Sequence, residues 1–209
     1  VTFLLFFLGA FKLLYVFVVA PVLIAILAVH WQSALRIAKS TLLKPLPVTG
    51  KLNALGVCSF LFLGLFLIAN FVQILRPFPM GTDSINLYVN LPTLISDYAG
   101  LVNGNQPYNW SLFMSMGLVV FGRVDVLLGL SFLGGLLALT AMYQLGRRWL
   151  DPNFAAFGLL LFYSVPLINF LSFMDMKIDM SLLYIVLCII ILFVNWLSPP
   201  DLSKQVKKP

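Results

Sequence analysis

The stretch LNALGVCSFLFLGLFLIANFVQIL, residues 52–75, runs for 24 residues without an Asp, Glu, Lys or Arg. A helix rises about 1.5 Å per residue, so roughly 20 apolar residues cross the hydrocarbon core of a bilayer. Three further uncharged runs occupy residues 126–145, 153–174 and 180–197. Backbone N–H and C=O groups must be paired inside a bilayer, and a helix pairs them within one segment, so we predict a transmembrane helix in each run.

A fifth predicted span covers residues 13–29 and contains Pro21, which membrane helices tolerate better than soluble ones do. Residues 1–11 are apolar but too short to cross. Since the sequence does not begin with Met, we interpret them as the stump of an earlier helix in a fragment of a longer protein. A signal peptide is the competing interpretation, but it requires a basic region and a small-residue cleavage site ahead of a soluble domain.

The composition excludes a soluble fold, because 61% of the residues are hydrophobic and only 10% are charged, against roughly a quarter charged in soluble domains. We predict an all-α fold, a polytopic transmembrane helical bundle with about five spans. Cys58 and Cys188 lie inside predicted spans and His30 is the single histidine. This inventory supplies neither a disulfide framework nor a Cys/His zinc site.

The net charge of +6 is unevenly distributed along the predicted topology. If residues 13–29 run inward, nine of the 13 basic residues fall on one side, which the positive-inside rule identifies as cytoplasmic. The nine are Arg36, Lys39, Lys44, Lys51, Arg147, Arg148, Lys204, Lys207 and Lys208. Five of the seven acidic residues fall on the outer side: Asp83, Asp97, Asp125, Asp175 and Asp179. The basic balance therefore indicates membrane topology, and no nucleic-acid partner is expected.

The predicted spans divide the chain into three parts. Residues 1–51 hold the N-terminal membrane helix and a basic cytoplasmic linker, and residues 52–198 hold the transmembrane core. Residues 199–209 are a basic cytoplasmic tail or a truncated loop. Within the core, residues 76–123 form a long outer loop.

This outer loop is predicted to contain helices of its own. Between residues 87 and 102, apolar residues recur every three or four positions, which is typical of an amphipathic helix on the membrane surface, and Pro92 indicates a kink. Residues 110–121 are apolar but too short to span, so we predict a second interfacial or re-entrant helix. The alternative is a structural cover over the helix ends, whose aromatic belt would consist of Tyr88, Tyr98, Tyr108 and Trp110.

Acidic residues occur at two places on the outer side. Asp83 follows the predicted exit of residues 52–75, where an N-cap is its ordinary structural role. The second place is MDMKIDM, residues 174–180; if it is helical, Asp175 and Asp179 share a face and Lys177 lies on another. Burying a charge in a membrane costs about 3 kcal/mol, so charges beside membrane helices usually mark functional sites. The alternative is that all three side chains extend into interfacial water.

Carboxylates at two places on one side suit a group-transfer reaction. One can act as general base toward an acceptor hydroxyl, and another can hold a divalent cation, which is a candidate cofactor, or a sugar hydroxyl. Arg76, Arg123 and Lys177 can bind phosphate oxygens, the arginines in bidentate fashion, and Tyr88 joins them as a candidate substrate-binding residue.

Five short motifs follow one another along the chain in a recognisable order. They are GTDSINLY at residues 81–88, FGR at 121–123, GRR at 146–148, SVP at 164–166 and MDMKID at 174–179. The ordered set, over roughly residues 52–197, resembles the polytopic glycosyltransferases of the GT-C type, which include protein O-mannosyltransferases and lipid A aminoarabinose transferases. Ser84 follows Asp83 where that family often has a second acid, and the family's chains are much longer.

The resemblance implies an inverting enzyme of the cell envelope, in a bacterial cytoplasmic membrane with its site facing outward. It would move a sugar from a polyprenyl-phosphate donor to a lipid, glycan or protein acceptor, among membrane lipids. Asp83 would correspond to the catalytic or acceptor-activating carboxylate, and Asp175 or Asp179 to the acid of the second loop. A transporter or flippase subunit with an outer acidic cation or proton site is the alternative function, and a non-catalytic scaffold is a third.

Overall fold

The computed structural model describes residues 1–38, 51–75, 88–102, 108–169 and 178–197, and every regular element within these ranges is a helix. The helices are α1 (Thr2–Ala10), α2 (Val16–Ala38), α3 (Ala54–Ile74), α4 (Asn90–Asp97), α5 (Tyr108–Met114), α6 (Met116–Phe121), α7 (Val124–Gly146), α8 (Pro152–Ser164) and α9 (Asp179–Leu197). Four of them, α2, α3, α7 and α9, are long and apolar enough to cross a membrane. The prediction of an all-helical integral membrane protein is confirmed at this level.

Residues 153–174 are predicted as one span, but the regular helix at their start, α8, ends at Ser164 after 13 residues. Pro166 has no N–H to donate to the carbonyl of Phe162, and it forces the preceding Val165 into an extended conformation with φ −62° and ψ 121°. A further helical turn follows, in which the Asn169 N–H donates to the Val165 carbonyl over 3.0 Å. The remainder of this run, residues 170–174, lies outside the described residues.

α7 and α9 run side by side in the same direction. Gly134 of α7 lies so close to Ser181 of α9 that no Cβ would fit, and Arg148 donates a hydrogen bond to Asn195. The two residues of each pair are 47 positions apart in sequence, so a residue of α9 lies level with the residue 47 positions before it. Asp179 therefore lies level with residue 132 of α7. Since α7 begins eight residues earlier, at Val124, it extends about 12 Å beyond the start of α9.

α3 and α8 form a second parallel pair. At their starts, the backbone N–H of Asn53 donates to Asn153 Oδ1 over 2.8 Å. Further along, the rings of Phe66 and Tyr163 lie with their centroids 6.3 Å apart. α8 ends one residue after Tyr163, whereas α3 continues for eight residues beyond Phe66, so α3 extends about 10 Å past the end of α8.

The two ends of this bundle differ in charge. We call the end that carries Lys51, Arg147 and Arg148 the basic end, and the end that carries Asp97, Asp125 and Asp179 the acidic end. Three exposed tryptophans lie toward the basic end: Trp31, Trp149 and Trp196. Exposed tryptophans are typical of the boundary between a bilayer and water.

α5 and α6 pack antiparallel on the first turns of α7. The backbone of Leu127 leaves no room for a Cβ on Gly117, and Trp110 lies against Gly134. Gly122, with φ +62°, then turns the chain toward α7, and the Arg123 N–H donates to the Gly117 carbonyl over 3.1 Å. Residues 108–121 therefore extend from the acidic end to the level of Gly134, the arrangement of a re-entrant segment.

α4 is amphipathic, as the sequence predicts, and its apolar face packs against neighbouring helices. Leu91 and Ile95 are buried in a cluster with Leu5 of α1, Leu112 of α5 and Met116 of α6. Neighbouring helices therefore cover this face, and the position of the helix on the membrane surface stays a prediction. Pro92 lies in its first turn, where the missing N–H disrupts no helical hydrogen bond.

Candidate functional site at the acidic end

The structure describes three of the seven predicted site residues. Tyr88, Arg123 and Asp179 are within the described ranges. Asp83, Asp175, Arg76 and Lys177 lie outside them, and their predicted roles stay predictions.

Asp179 is the first residue of α9, and its side chain is exposed. A carboxylate at a helix N-terminus interacts favourably with the partial positive charge of the unpaired N–H groups. At the acidic end, α7 begins about 12 Å further out than α9 does. The Asp179 carboxylate is therefore set back from the outermost turns of the bundle. It is accessible and lies below the rim formed by α7.

Arg123 is engaged by a neighbour that the sequence analysis did not assign to it. Its Nε donates to Asp125 Oδ1 over 2.9 Å, and its Nη2 donates to Asp125 Oδ2, so the pair is bidentate. These hydrogen bonds raise the pKa of Arg123 above its usual value. The Arg123 side chain is 66% exposed, and exposed pairs are weak, so a phosphate can compete with Asp125 for the guanidinium.

Tyr88 is half-buried and packs against the main apolar cluster, which α3, α7, α8 and α9 share. It precedes α4, which begins at Asn90. The ring therefore helps to hold the start of α4 against the bundle, and its role in substrate binding stays a prediction.

The least expected feature of this end is a group of buried polar atoms with no hydrogen-bond partner: Trp110 Nε1, Ser131 Oγ and Ser181 Oγ. Ser181 lies against Gly134, and so does Trp110 Cζ2, which is two bonds from Nε1. Ser131 lies on the same face of α7, one turn nearer the acidic end. We call Trp110, Ser131 and Ser181 the unpaired cluster.

Three other serine and threonine hydroxyls in the bundle donate to carbonyls of their own helices. Ser59 donates to the Leu55 carbonyl, Thr140 to that of Leu136 and Ser164 to that of Leu160, all within 2.8 Å. Ser131 and Ser181 are 4% and 0% exposed and make no such bond. An unpaired buried polar group costs about 1–3 kcal/mol, so three of them at one level indicate a place for a polar ligand atom or a water.

A cavity of about 460 Å³ adjoins the unpaired cluster. Trp110 is part of both, and Ile185 of α9, one turn after Ser181, forms another part of the cavity wall. The rest of the lining comes from α1 and includes Thr2, Phe3 and Phe6. Ligand pockets of roughly 300–1,000 Å³ that are mostly apolar and contain a few polar atoms are common in proteins.

A second polar cluster lies beside the interruption of α8. Asn70 of α3 donates from Nδ2 to the hydroxyl of Tyr163 and, over 2.8 Å, to Asn169 Oδ1. Asn70 is 4% exposed and Tyr163 is fully buried. These three residues are uncharged and are not among the predicted site residues; a lone Asn within an uncharged run is the signal that could have identified Asn70.

Within the described ranges, no three His, Cys, Asp or Glu side chains come together as a metal site. Asp83 and Asp175 lie outside those ranges, so a divalent cation at the acidic end stays a prediction. Comparisons of the chain with models of protein families, with curated proteins and with solved structures return no match.

Proposed function

We propose that this chain is part of a membrane glycosyltransferase that moves a sugar from a polyprenyl-phosphate donor to an acceptor at the acidic end. In this proposal the acidic end faces the extracytoplasmic side of a bacterial cytoplasmic membrane. The order of motifs along residues 52–197 supports the reaction class. The observation that carries the proposal is the unpaired cluster, beside an apolar cavity and at the level of Asp179.

A lipid-linked sugar has chemistry that matches this arrangement. Its prenyl chain is apolar and suits surfaces such as Phe3, Phe6 and Ile185, while its sugar hydroxyls can donate to and accept from serine hydroxyls and accept from the indole N–H of Trp110. A ligand oxygen between these groups would remove the cost of leaving them unpaired. Asp179, two residues before Ser181, would then lie near the reacting group.

The proposed reaction is a single inverting displacement. The acceptor hydroxyl attacks the anomeric carbon, the bond between that carbon and the phosphate oxygen breaks, and the polyprenyl phosphate leaves with the electron pair. A carboxylate, Asp83 or one of Asp175 and Asp179, takes the proton of the acceptor hydroxyl as general base. Arg76, Arg123 or Lys177 stabilises the charge that develops on the leaving phosphate.

The test is sugar transfer by the full-length protein in proteoliposomes, with labelled polyprenyl-phosphate sugars as donors. General-base catalysis contributes about 10²–10⁴-fold, so Asp83→Asn, or both Asp175→Asn and Asp179→Asn together, is expected to lower the transfer rate by at least 100-fold. Asp97→Asn removes another exposed acid at the same end and serves as the matched control. Transfer at the wild-type rate in all of the site variants would show that these carboxylates are not the base.

The interruption of α8 favours a second candidate function, a transporter subunit. Transporters often bind substrate where a membrane helix is broken, and here Asn70, Tyr163 and Asn169 meet at such a break. Uptake of solute or cation into the same proteoliposomes, abolished by Asn70→Leu and unaffected by Asp179→Asn, would support transport. Sugar transfer that survives Asn70→Leu would leave that cluster with a structural role.

A further inference from the structure

We propose that the cleft between α3, α7 and α8 binds an anionic phospholipid, with one hydrocarbon chain in the cleft and the phosphate at the basic end against Tyr143 and Arg147. This site is separate from the proposed transferase site and does not depend on it. It lies at the opposite end of α7, and its occupant is a constituent of the surrounding membrane.

The cleft has the size and the lining that a hydrocarbon chain requires. Its volume is about 430 Å³, and its walls come from Phe60, Leu63 and Gly64 of α3 and from Leu136, Leu139 and Tyr143 of α7, with Leu159 at the side of α8. Gly64 has no other atom within 4 Å of where its Cβ would lie, so the space in front of it is open. The cleft follows the helix axes from the middle of the bundle toward the basic end.

A polar group lies where the cleft approaches the basic end. Tyr143 is 5% exposed, and its hydroxyl has no hydrogen-bond partner although its ring packs edge-on against Phe60 at a centroid distance of 5.4 Å. A buried hydroxyl in an apolar wall requires a partner, and a phosphate oxygen of a lipid at this depth is a strong acceptor.

The charges at this end select an anion. Arg147 lies with its guanidinium carbon 5.8 Å from the centre of the Tyr143 ring, so a group that reaches the Tyr143 hydroxyl is also near a cation. Lys51 and Arg148 lie at the same end, and the carboxylate of Asp151 already accepts hydrogen bonds from Asn153. Basic pockets between membrane helices are a recurring mode of binding anionic headgroups.

The occupant is an anionic phospholipid rather than a zwitterionic one or a second copy of this chain. A zwitterionic headgroup would bring its own cation to a basic surface, which weakens the attraction. A second copy would have to place an apolar helix in the cleft, and the main chain of that helix would offer the Tyr143 hydroxyl no partner, because its N–H and C=O groups are paired within the helix.

The experiment is native mass spectrometry of the purified full chain, released from nanodiscs with equal amounts of phosphatidylglycerol and phosphatidylcholine of the same acyl chains. The wild type is expected to retain one phosphatidylglycerol preferentially. Arg147→Gln is expected to lower that preference about tenfold, and Tyr143→Phe by a smaller factor, because a charged hydrogen bond contributes more than a neutral one.

Gly64→Leu tests the cleft itself. The new side chain fills open space, so folding is expected to be unaffected while retention of the lipid is lost. Gly158→Leu is the matched control, since Gly158 also has open space in front of it and lies outside the cleft. Circular dichroism shows whether each variant is folded.

Three outcomes would overturn the proposal. The first is equal retention of both lipids by the wild type. The second is retention by Gly64→Leu and Arg147→Gln equal to that of Gly158→Leu. The third is a dimer whose contact, mapped by cross-linking through Gly64→Cys, covers the cleft.

Discussion

Two regions of the bundle treat their polar groups in opposite ways: the network around Asn153 and Asn195 at the basic end, and the unpaired cluster nearer the acidic end. At the basic end, Asn153 accepts from the Asn53 N–H and donates to Asp151 and to the Lys51 carbonyl, and Arg148 bonds Asn195 across α7 and α9. Nearer the acidic end, the buried polar atoms of the unpaired cluster have no hydrogen-bond partners. The closed networks hold the helices together, while the open groups are available for binding.

Close packing at the level of Gly134 is expected to give the largest effect on stability. Gly134→Leu forces a side chain into space occupied by Ser181 and Trp110. Overpacking of this kind costs about 3 kcal/mol or more, because α5 and α9 would have to move away from α7. Unfolding in a denaturing-detergent titration measures the change, and Gly129→Leu, which faces open space, is the control. Equal stability of the two variants would show that α7 and α9 are not in contact here.

Disruption of the network around Asn153 at the basic end is expected to have an intermediate effect on stability. Asn153→Ala removes the acceptor of the Asn53 N–H and the donor to Asp151 and Lys51. We expect a loss of about 2 kcal/mol, because three hydrogen bonds are lost together and each contributes roughly 0.5–1.5 kcal/mol. The same detergent titration measures it. A loss below that of Ser59→Ala, whose hydroxyl bonds only to its own helix, would contradict the assignment of a stabilising network to this end.

The unpaired cluster is expected to give the smallest effect on stability, and of the opposite sign. Ser181→Ala removes a buried hydroxyl that has no partner, so the unliganded protein is expected to be unchanged or stabilised by up to about 1 kcal/mol. A destabilisation as large as that of Asn153→Ala would show that Ser181 belongs to a structural network. The contrast between these two variants therefore measures the difference between the network around Asn153 and the unpaired cluster.

The long helices were predictable because uncharged runs of about 20 residues have few alternatives to a membrane helix. The early end of α8 could have been predicted from Pro166, because a proline disfavours a helical conformation in the residue before it. The prediction of a span at residues 153–174 took no account of this proline. The arrangement of α5 and α6 was not, because it depends on close approaches at Gly117 and Gly134 that only the tertiary structure creates. Sequence spacing also gives no reason to group Trp110 with two serines of other helices.

The candidate site, like the fold, was predictable from the sequence only in part. The sequence identified charged residues because ionisable groups near a membrane are rare, and Asp179 is indeed accessible at the start of α9. It did not indicate that Arg123 would pair with Asp125 two residues later, since that pairing depends on the extended backbone of Arg123 where α7 begins. Asp83 and Asp175, two of the candidate carboxylates in the proposed reaction, lie outside the described residues.

The most direct test of a binding role for the acidic end is the donor-dependent unfolding midpoint. We would compare the wild type with the Ser131→Ala/Ser181→Ala double variant, each with and without a panel of polyprenyl-phosphate hexoses and pentoses. Binding to the folded state raises the midpoint by mass action, so at least one donor is expected to stabilise the wild type and to leave the double variant unchanged. Equal stabilisation of both proteins, or stabilisation of neither by any donor, would contradict the proposal that these hydroxyls bind the sugar.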